Sequence, residues 1–137
     1  MDPLITMLKA HEGVRLKPYV DTVGKTTIGV GRNLTDNGIT AAEADAMLAY
    51  DISVARTALA SGFRAFQALD DVRQAVLTDM CFNMGWPRLS AFKNTLSLIE
   101  HARYNDAAAA MLDSLWAKQV GNRAVQLAQM MRTGKWA

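Results

Sequence analysis

The sequence predicts an α+β fold that is mainly α, with a small β-hairpin lobe and a larger helical lobe. Strand-like alternation is confined to residues 14–31, where β-forming residues are separated by the turn sequence Asp21-Thr-Val-Gly24. Most other segments carry apolar residues at helical spacing, and Asp2-Pro3 and the capping box Thr40–Glu43 mark two helix starts. The length of 137 residues fits a single domain.

The expected helices follow from their caps and from the spacing of apolar residues. A long helix begins after Thr40 and ends at Ala60-Ser61-Gly62, and Thr35-Asp36-Asn37-Gly38 is expected to be a turn before it. The helix over residues 71–84 is apolar all round, which predicts a buried central helix. The other expected helices cover residues 3–12, 93–102, 105–113 and 121–132.

Two carboxylates and a threonine stand close together near the predicted hairpin. Glu12 ends the first helix, because Gly13 is a typical residue just beyond a helix end. The negative end of a helix disfavours an ionised carboxylate, so Glu12 is a candidate general acid. Asp21 lies on an exposed polar turn and is expected to stay ionised, with Thr27 on the return strand. Such a pair of carboxyl groups can cleave a glycosidic bond.

The spacing of these residues matches a known pattern. Glu12, eight residues, Asp21, five residues, Thr27 and then Ile28-Gly-Val-Gly31 resembles the phage-type lysozymes, which are the T-even phage endolysin family and glycoside hydrolase family 24. The similarity continues along most of the chain. Either carboxylate alone would be a weak signal, and Glu12 alone would be read as a surface carboxylate near Arg15.

The resemblance implies a lysozyme-like fold with a cleft between two lobes of one domain, residues 1–137. The small lobe is expected over about residues 13–60 and the helical lobe over about 1–12 and 61–137. A sizeable piece of the family's small lobe is expected to be missing from this chain.

The activity that the resemblance implies is that of an endolysin or muramidase. The substrate is bacterial peptidoglycan, cut at the β-1,4 bond between N-acetylmuramic acid and N-acetylglucosamine with inversion of configuration. Glu12 acts as general acid, and Asp21 and Thr27 position the attacking water, although Asp21 could instead act as base or stabilise charge. Inversion requires carboxyl groups about 6.5–9.5 Å apart, against about 5–5.5 Å for retention.

Four further residues match substrate-binding or site positions of the family. Asn33, Phe82 and Thr95 fall where the family contacts saccharide, and Phe82 is equally compatible with the core. Arg123 is expected beside Glu12, where it would orient the acid. Ala110 replaces a cleft asparagine, which removes one sugar contact.

A charged residue on the apolar face of the long helix predicts an ion pair. Asp51 falls on the apolar stripe of that helix, and Arg32 is the expected partner because the family places a basic–acidic pair at these positions. The alternative is that Asp51 lies at the stripe edge and is solvated. Three aromatic side chains are expected to pack in the core or as caps rather than to stack on sugars: Trp86, Trp116 and Trp136.

Composition excludes several other classes of protein. The net charge is +2 with a pI of about 8.9. The sequence lacks the dense cluster of basic residues that would indicate nucleic-acid binding. Cys81 is the only cysteine and is expected to be an inert buried thiol. The two histidines, His11 and His101, are too few for a metal site. No metal or cofactor is therefore expected.

The sequence also favours one location for the protein. The sequence has no apolar run of 18 residues and no visible signal peptide, so no stable membrane insertion is expected. The protein is expected to be a monomer that waits in the host cytoplasm until the inner membrane opens. It would then act in the periplasm and on the cell wall. Two alternatives remain open: a non-catalytic peptidoglycan-binding module, and membrane disruption by the basic segment 121–137.

Overall fold

The fold is α+β and mainly α, as predicted. A computed structural model describes residues 2–137. The elements in chain order are α1 (Pro3–Glu12), β1 (Arg15–Val20), β2 (Thr26–Gly29), β3 (Arg32–Asn33), α2 (Leu34–Asn37), α3 (Ala41–Gly62), a 3-10 turn (Phe66–Ala68), α4 (Asp71–Met84), α5 (Trp86–Leu89), α6 (Lys93–Glu100), α7 (Tyr104–Leu112), α8 (Leu115–Val120) and α9 (Asn122–Thr133).

Contacts along the chain define two compact units. The first covers residues 2–47 and holds α1, the sheet, α2 and the start of α3, and the second covers residues 48–137. The lobe limits drawn from the resemblance, about 13–60 for the small lobe and about 1–12 and 61–137 for the helical lobe, stay a prediction. No helix in residues 2–137 has both the length and the hydropathy needed to span a bilayer.

The sheet of the first unit is antiparallel with the order β1-β2-β3. Thr27 therefore lies on the central strand, paired with Tyr19 on one side and Asn33 on the other. The register between β1 and β2 is irregular between Arg15 and Tyr19, and Pro18 in that interval has no N–H to donate. The hairpin predicted from the sequence is confirmed, with the short strand β3 added to it.

The predicted caps fix the ends of α1 and the start of α3. The side chain of Asp2 accepts a hydrogen bond from the N–H of Leu4 at 2.9 Å, and Gly13 ends α1 with a φ of 75°. Before α3, the Glu43 N–H donates to Thr40 Oγ1 at 3.1 Å and the Thr40 N–H donates to Glu43 Oε1 at 2.9 Å. This reciprocal pair is the capping box that the sequence predicts.

The hydrophobic core of the second unit surrounds α4. This helix begins after the N-cap Asp70 and ends before Gly85, and half of its fourteen residues are buried, whereas Phe82 is 46% exposed. The thiol of Cys81 is buried and lies 3.8 Å from the carbonyl oxygen of Ala55, and burial raises its pKa. The largest fully buried side chains are Leu59, Val76, Leu77, Met80, Leu89, Ile99, Met111 and Met131.

One arginine joins α4 to the end of α9. Arg73 donates from Nε to the carbonyl of Met131 at 2.7 Å and from Nη2 to that of Arg132 at 3.1 Å, and its guanidinium stacks 3.6 Å from the ring centroid of Tyr104. These carbonyls at the end of α9 would otherwise lack partners. Gly134 lies so close that a Cβ there would be 2.9 Å from Arg73 Nη1.

The structure differs from the prediction in its short elements and in α3. The expected turn Thr35–Gly38 is largely the one-turn helix α2, and α5, α8 and the 3-10 turn were not predicted. The apolar stripe predicted for α3 consists of Ala44, Met47, Leu48, Ile52, Ala55 and Leu59. Only Ala55 and Leu59 of this stripe are buried, whereas Met47 is 56% exposed. The buried half of α3 is the half that joins the core cluster.

Candidate active site

Asp21 is held rigidly by the turn that joins β1 to β2. Its Oδ1 accepts hydrogen bonds from the N–H groups of Val23 at 3.0 Å and Lys25 at 2.8 Å. The backbone closes the same turn, with the Asp21 N–H donating to the carbonyl of Lys25 at 2.9 Å. This is the self-bonded aspartate turn that the sequence predicts. Oδ2 of Asp21 accepts no hydrogen bond from residues 2–137, so it remains available to a ligand or water.

Thr27 is tied to the same turn. The residue is only 4% exposed, and its hydroxyl donates to the carbonyl of Lys25 at 3.0 Å. Because the hydroxyl proton is used in this way, its oxygen is left as an acceptor for a water molecule. The backbone of Lys25 thus fixes both Asp21 and Thr27, a role that the sequence did not reveal because backbone groups leave no mark in residue type.

The carboxyl group of Glu12 lies against the turn between β2 and β3. A Cβ at Gly31 would stand 2.8 Å from Oε2 of Glu12, so the site requires the absence of a side chain at residue 31. Gly31 also has a φ of 66°, a conformation that glycine adopts readily. Glu12 is exposed and forms no hydrogen bond or ion pair with residues 2–137, which leaves both oxygens free to meet a substrate.

The predicted ion pair between Arg32 and Asp51 is wrong, because Arg32 pairs with Glu43. Its Nη1 and Nη2 donate to the two carboxylate oxygens at 2.9 and 2.7 Å. The hydrogen bonds from Arg32 and from the Thr40 backbone lower the pKa of Glu43 to about 2. The capping box places Glu43 at the start of α3, whereas Asp51 lies eight residues further along, about 12 Å by helix rise. Asp51 is exposed, as the alternative reading proposed.

Asn33 is used to start α2. Its Oδ1 accepts from the Asp36 N–H at 3.1 Å, and its Nδ2 donates to Asp36 Oδ2 at 2.9 Å. Lys25 Nζ adds an ion pair to the other oxygen of Asp36 at 3.2 Å. The side-chain amide of Asn33 is therefore committed to a local cap, and its contact with saccharide stays a prediction.

Arg123 and Phe82 lie at one pocket of the second unit. Both Nε and Nη2 of Arg123 are 2.8 Å from Oδ1 of Asp79, and this pair lines a pocket of about 300 Å³ together with Phe82. Asp79 was not predicted from the sequence, although a charged residue inside a helix predicted to be buried indicates a partner. Thr95 is 5% exposed and does not line this pocket. Saccharide contacts of Phe82 and Thr95, and the place of Arg123 beside Glu12, stay predictions.

Two of the three tryptophans have clear packing roles. Trp116 is 3% exposed, donates from Nε1 to Asn83 Oδ1 at 2.8 Å and meets Phe92 edge-on, which confirms the predicted core role. Trp86 is half-buried and packs against the core cluster, whereas Trp136 is 67% exposed and does not pack in the core.

Comparison with known proteins assigns the chain to a class and then to a family. The match to a phage lysozyme family model and the relatives named lysozyme and endolysin support the class of glycoside hydrolases. The chain belongs to the phage lysozyme family, whose model matches residues 9–133. The reading as a non-catalytic module is therefore set aside.

Named relatives cover most of this chain. It is 30% identical to "Probable T4-type lysozyme 1" of Dictyostelium discoideum, over 93% of this chain and 92% of the relative. It is 34% identical to the endolysin of Salmonella phage P22, over 83% of this chain and 80% of the relative. The pre-baseplate central spike protein Gp5 of Enterobacteria phage T4 is 30% identical over 93% of this chain, which corresponds to 27% of Gp5.

This chain is shorter than the relatives that it matches. The alignment with the Dictyostelium protein is 157 positions long, whereas 93% of this 137-residue chain is about 127 residues. The relative therefore has about 30 positions that this chain lacks. The small lobe remains the predicted place of that difference.

Proposed function

We propose that this protein is a muramidase that hydrolyses the β-1,4 bond between N-acetylmuramic acid and N-acetylglucosamine in peptidoglycan, with inversion. Glu12 is the general acid, and Asp21 and Thr27 position the attacking water. The supporting observation is that one residue, Lys25, fixes both water-positioning side chains through its backbone. Glu12 lies in the same compact unit of the chain.

The hydrogen-bond directions suit a water molecule held between Asp21 and Thr27. The hydroxyl of Thr27 gives its proton to a carbonyl and can therefore accept one water proton, while the free Oδ2 of Asp21 accepts the other. A water held in this way directs a lone pair outward, toward the anomeric carbon. The leaving glycosidic oxygen takes its proton from Glu12, and water attack on the opposite face inverts the configuration.

The assignment of Glu12 as general acid is tested by comparing the hydrolysis of purified peptidoglycan by wild type and Glu12→Gln. Hydrolysis is measured as the release of reducing ends. The variant is expected to lose activity by about 100-fold or more, since general acid catalysis contributes about 10²–10⁴-fold. Glu100→Gln, an exposed glutamate on α6, is the matched control and should retain activity. Equal release of reducing ends by wild type and Glu12→Gln would refute the assignment.

Inversion is tested on the product rather than on the enzyme. Proton NMR during the first turnovers should show the α-anomer at the new reducing end before mutarotation mixes the two forms. A β-anomer would mean retention, and with it a covalent or substrate-assisted route that the present roles of Asp21 and Thr27 do not describe.

The similarity to a phage endolysin supports a role in host lysis. We infer that the protein waits in the host cytoplasm and reaches the cell wall when the inner membrane is opened. Cells that express the protein should lyse promptly after addition of a membrane-permeabilising agent, whereas cells that express Glu12→Gln should not. Lysis by the variant, reproduced by a peptide of residues 121–137, would instead indicate membrane disruption.

A further inference from the structure

A second pocket in residues 48–137 shares only Phe82 with the substrate-binding residues predicted above. It has a volume of about 430 Å³ and lies between α3, α4 and α5. Ala55, Cys81 and Pro87 form part of its wall, Asp51 supplies a carboxylate, and Phe82 and Trp86 supply its aromatic lining. A pocket of this size holds one sugar ring with its substituents.

The indole of Trp86 is held in place by a glycine. A Cβ at Gly62 would overlap the six-membered ring of this indole, so the end of α3 packs directly on it. The indole N–H has no acceptor among residues 2–137, although it belongs to a half-buried side chain. Trp86 therefore offers a fixed aromatic ring to the pocket, while its Nε1 lies close to Gly62 at the end of α3.

Asp51 supplies the opposite kind of polar group. Its carboxylate is exposed and has no ion pair or hydrogen bond within the described residues 2–137, since Arg32 is used by Glu43. The pocket thus combines two aromatic side chains, Trp86 and Phe82, with one free acceptor, the carboxylate of Asp51.

We propose that this pocket is a subsite for one N-acetylhexosamine unit of the glycan strand. The ring of Trp86 contacts the apolar face of the sugar, and Asp51 accepts hydrogen bonds from sugar hydroxyl or acetamido N–H groups. A sugar unit supplies both an apolar face for the ring and hydrogen-bond donors for the carboxylate, whereas an aliphatic side chain has no donor for Asp51. The proposal rests on the proposed function for its substrate class.

Binding is measured without turnover, by adding a tetrasaccharide of β-1,4-linked N-acetylglucosamine to ¹⁵N-labelled protein. The indole N–H signal of Trp86 should shift in a saturable manner. Trp116, which is buried and bonded to Asn83, and Trp136, which is exposed outside this pocket, serve as internal references. A Trp86 signal that does not move at saturating tetrasaccharide would overturn the proposal.

Substitutions separate the aromatic contact from a structural effect. Trp86→Ala should raise the dissociation constant of the tetrasaccharide and the KM for peptidoglycan about five- to tenfold, with kcat within about twofold. Trp86→Phe, which keeps a ring, should restore most of the affinity, whereas Trp136→Ala should match wild type. Equal affinities of wild type and Trp86→Ala, with both folded by circular dichroism, would contradict the subsite.

Asp51→Asn distinguishes the sugar from a cationic ligand such as a stem-peptide amine. The amide oxygen still accepts hydrogen bonds, so affinity for the tetrasaccharide should fall less than about threefold and should be insensitive to salt. Affinity lost on this substitution and on addition of salt would assign the pocket to a cation and overturn the proposal. Failure of the proposed catalytic mechanism is detected by a different experiment, because Glu12→Gln would then still hydrolyse peptidoglycan. The binding measurements on this pocket do not depend on that result.

Discussion

At the scale of single residues, the site depends on an atom that is absent, the Cβ of residue 31. Gly31→Ala would place a methyl group 2.8 Å from Oε2 of Glu12 and would force that carboxyl group to move. We expect kcat for peptidoglycan hydrolysis to fall at least tenfold, because small misplacements of a catalytic group are costly.

Gly29→Ala is the matched control for that change. Gly29 has a φ of 69°, close to the 66° of Gly31, but a Cβ there has nothing within 4 Å. Both variants should lose about 1 kcal/mol of stability from the positive φ, seen as similar drops in Tm. Only Gly31→Ala should lose kcat, and equal kcat values in the two variants would show that Glu12 is not constrained by residue 31.

The charge of Asp21 can be separated from its turn. Asparagine also forms this type of turn, because its side-chain oxygen can accept the N–H groups of Val23 and Lys25. Asp21→Asn should therefore keep a Tm close to that of wild type while kcat falls by about 100-fold or more. Asp21→Ala should lose both. If Asp21→Asn keeps kcat, the ionised form of Asp21 has no part in the chemistry.

At the scale of elements, the joint between the sheet and α3 should be sensitive to acid. The pKa of Glu43 is lowered from 4.5 to about 2 by Arg32 and Thr40. A lowered pKa means that the pair stabilises the folded state above about pH 4.5 and that this stabilisation is lost as the pH falls toward 2. Both side chains are about two-fifths exposed, so the effect is modest and screened by salt.

Glu43→Gln tests this joint, because glutamine also completes a capping box and only the charge is removed. Its Tm should lie below that of wild type at pH 7, and the difference should shrink to a small fraction of this value as the pH falls from about 4.5 to 2. Glu100→Gln has no such partner and should follow wild type throughout. A difference in Tm that stays constant from pH 7 to pH 2 would show that the ion pair is not its cause.

The helices whose ends could be predicted are those whose caps are formed by residues close to each other in the sequence. Asp2, Gly13 and the Thr40–Glu43 box set the limits of α1 and the start of α3 through contacts within four residues of each other. Short elements such as α5 and α8 have too few residues for a periodic pattern, so they depend on tertiary packing.

The same distinction applies to the site. The spacing of Glu12, Asp21 and Thr27 was visible in the sequence, and the turn at Asp21 followed from residue type. The partner of Arg32 was not visible, because Glu43 already had a complete local role as a capping residue. A side chain that serves two partners at once can be identified only when the fold brings both partners to it.

At the scale of the whole molecule, burial is divided unequally between the two units. All the buried apolar side chains among the described residues belong to the second unit, from Ala55 onward, whereas Thr27 is the only buried residue described in the first. Since apolar burial is the main source of stability, the first unit should open at a lower free energy than the second. The proposed catalytic residues Glu12 and Asp21 thus lie in the less protected unit.

Native-state hydrogen exchange measures this difference directly. Amides of β1 and β2, including the Thr27 N–H, should exchange with opening free energies well below those of the α4 and α9 amides, which should approach the free energy of global unfolding. A saccharide that binds the catalytic residues should slow exchange at Asp21 and Lys25 more than in α4, because ordering by a ligand is felt most where opening is easiest. Equal protection in β2 and α4 without ligand would mean that the chain opens as one cooperative unit. The turn at Asp21 would then owe its order to the cooperative folding of the whole chain, rather than to its own hydrogen bonds.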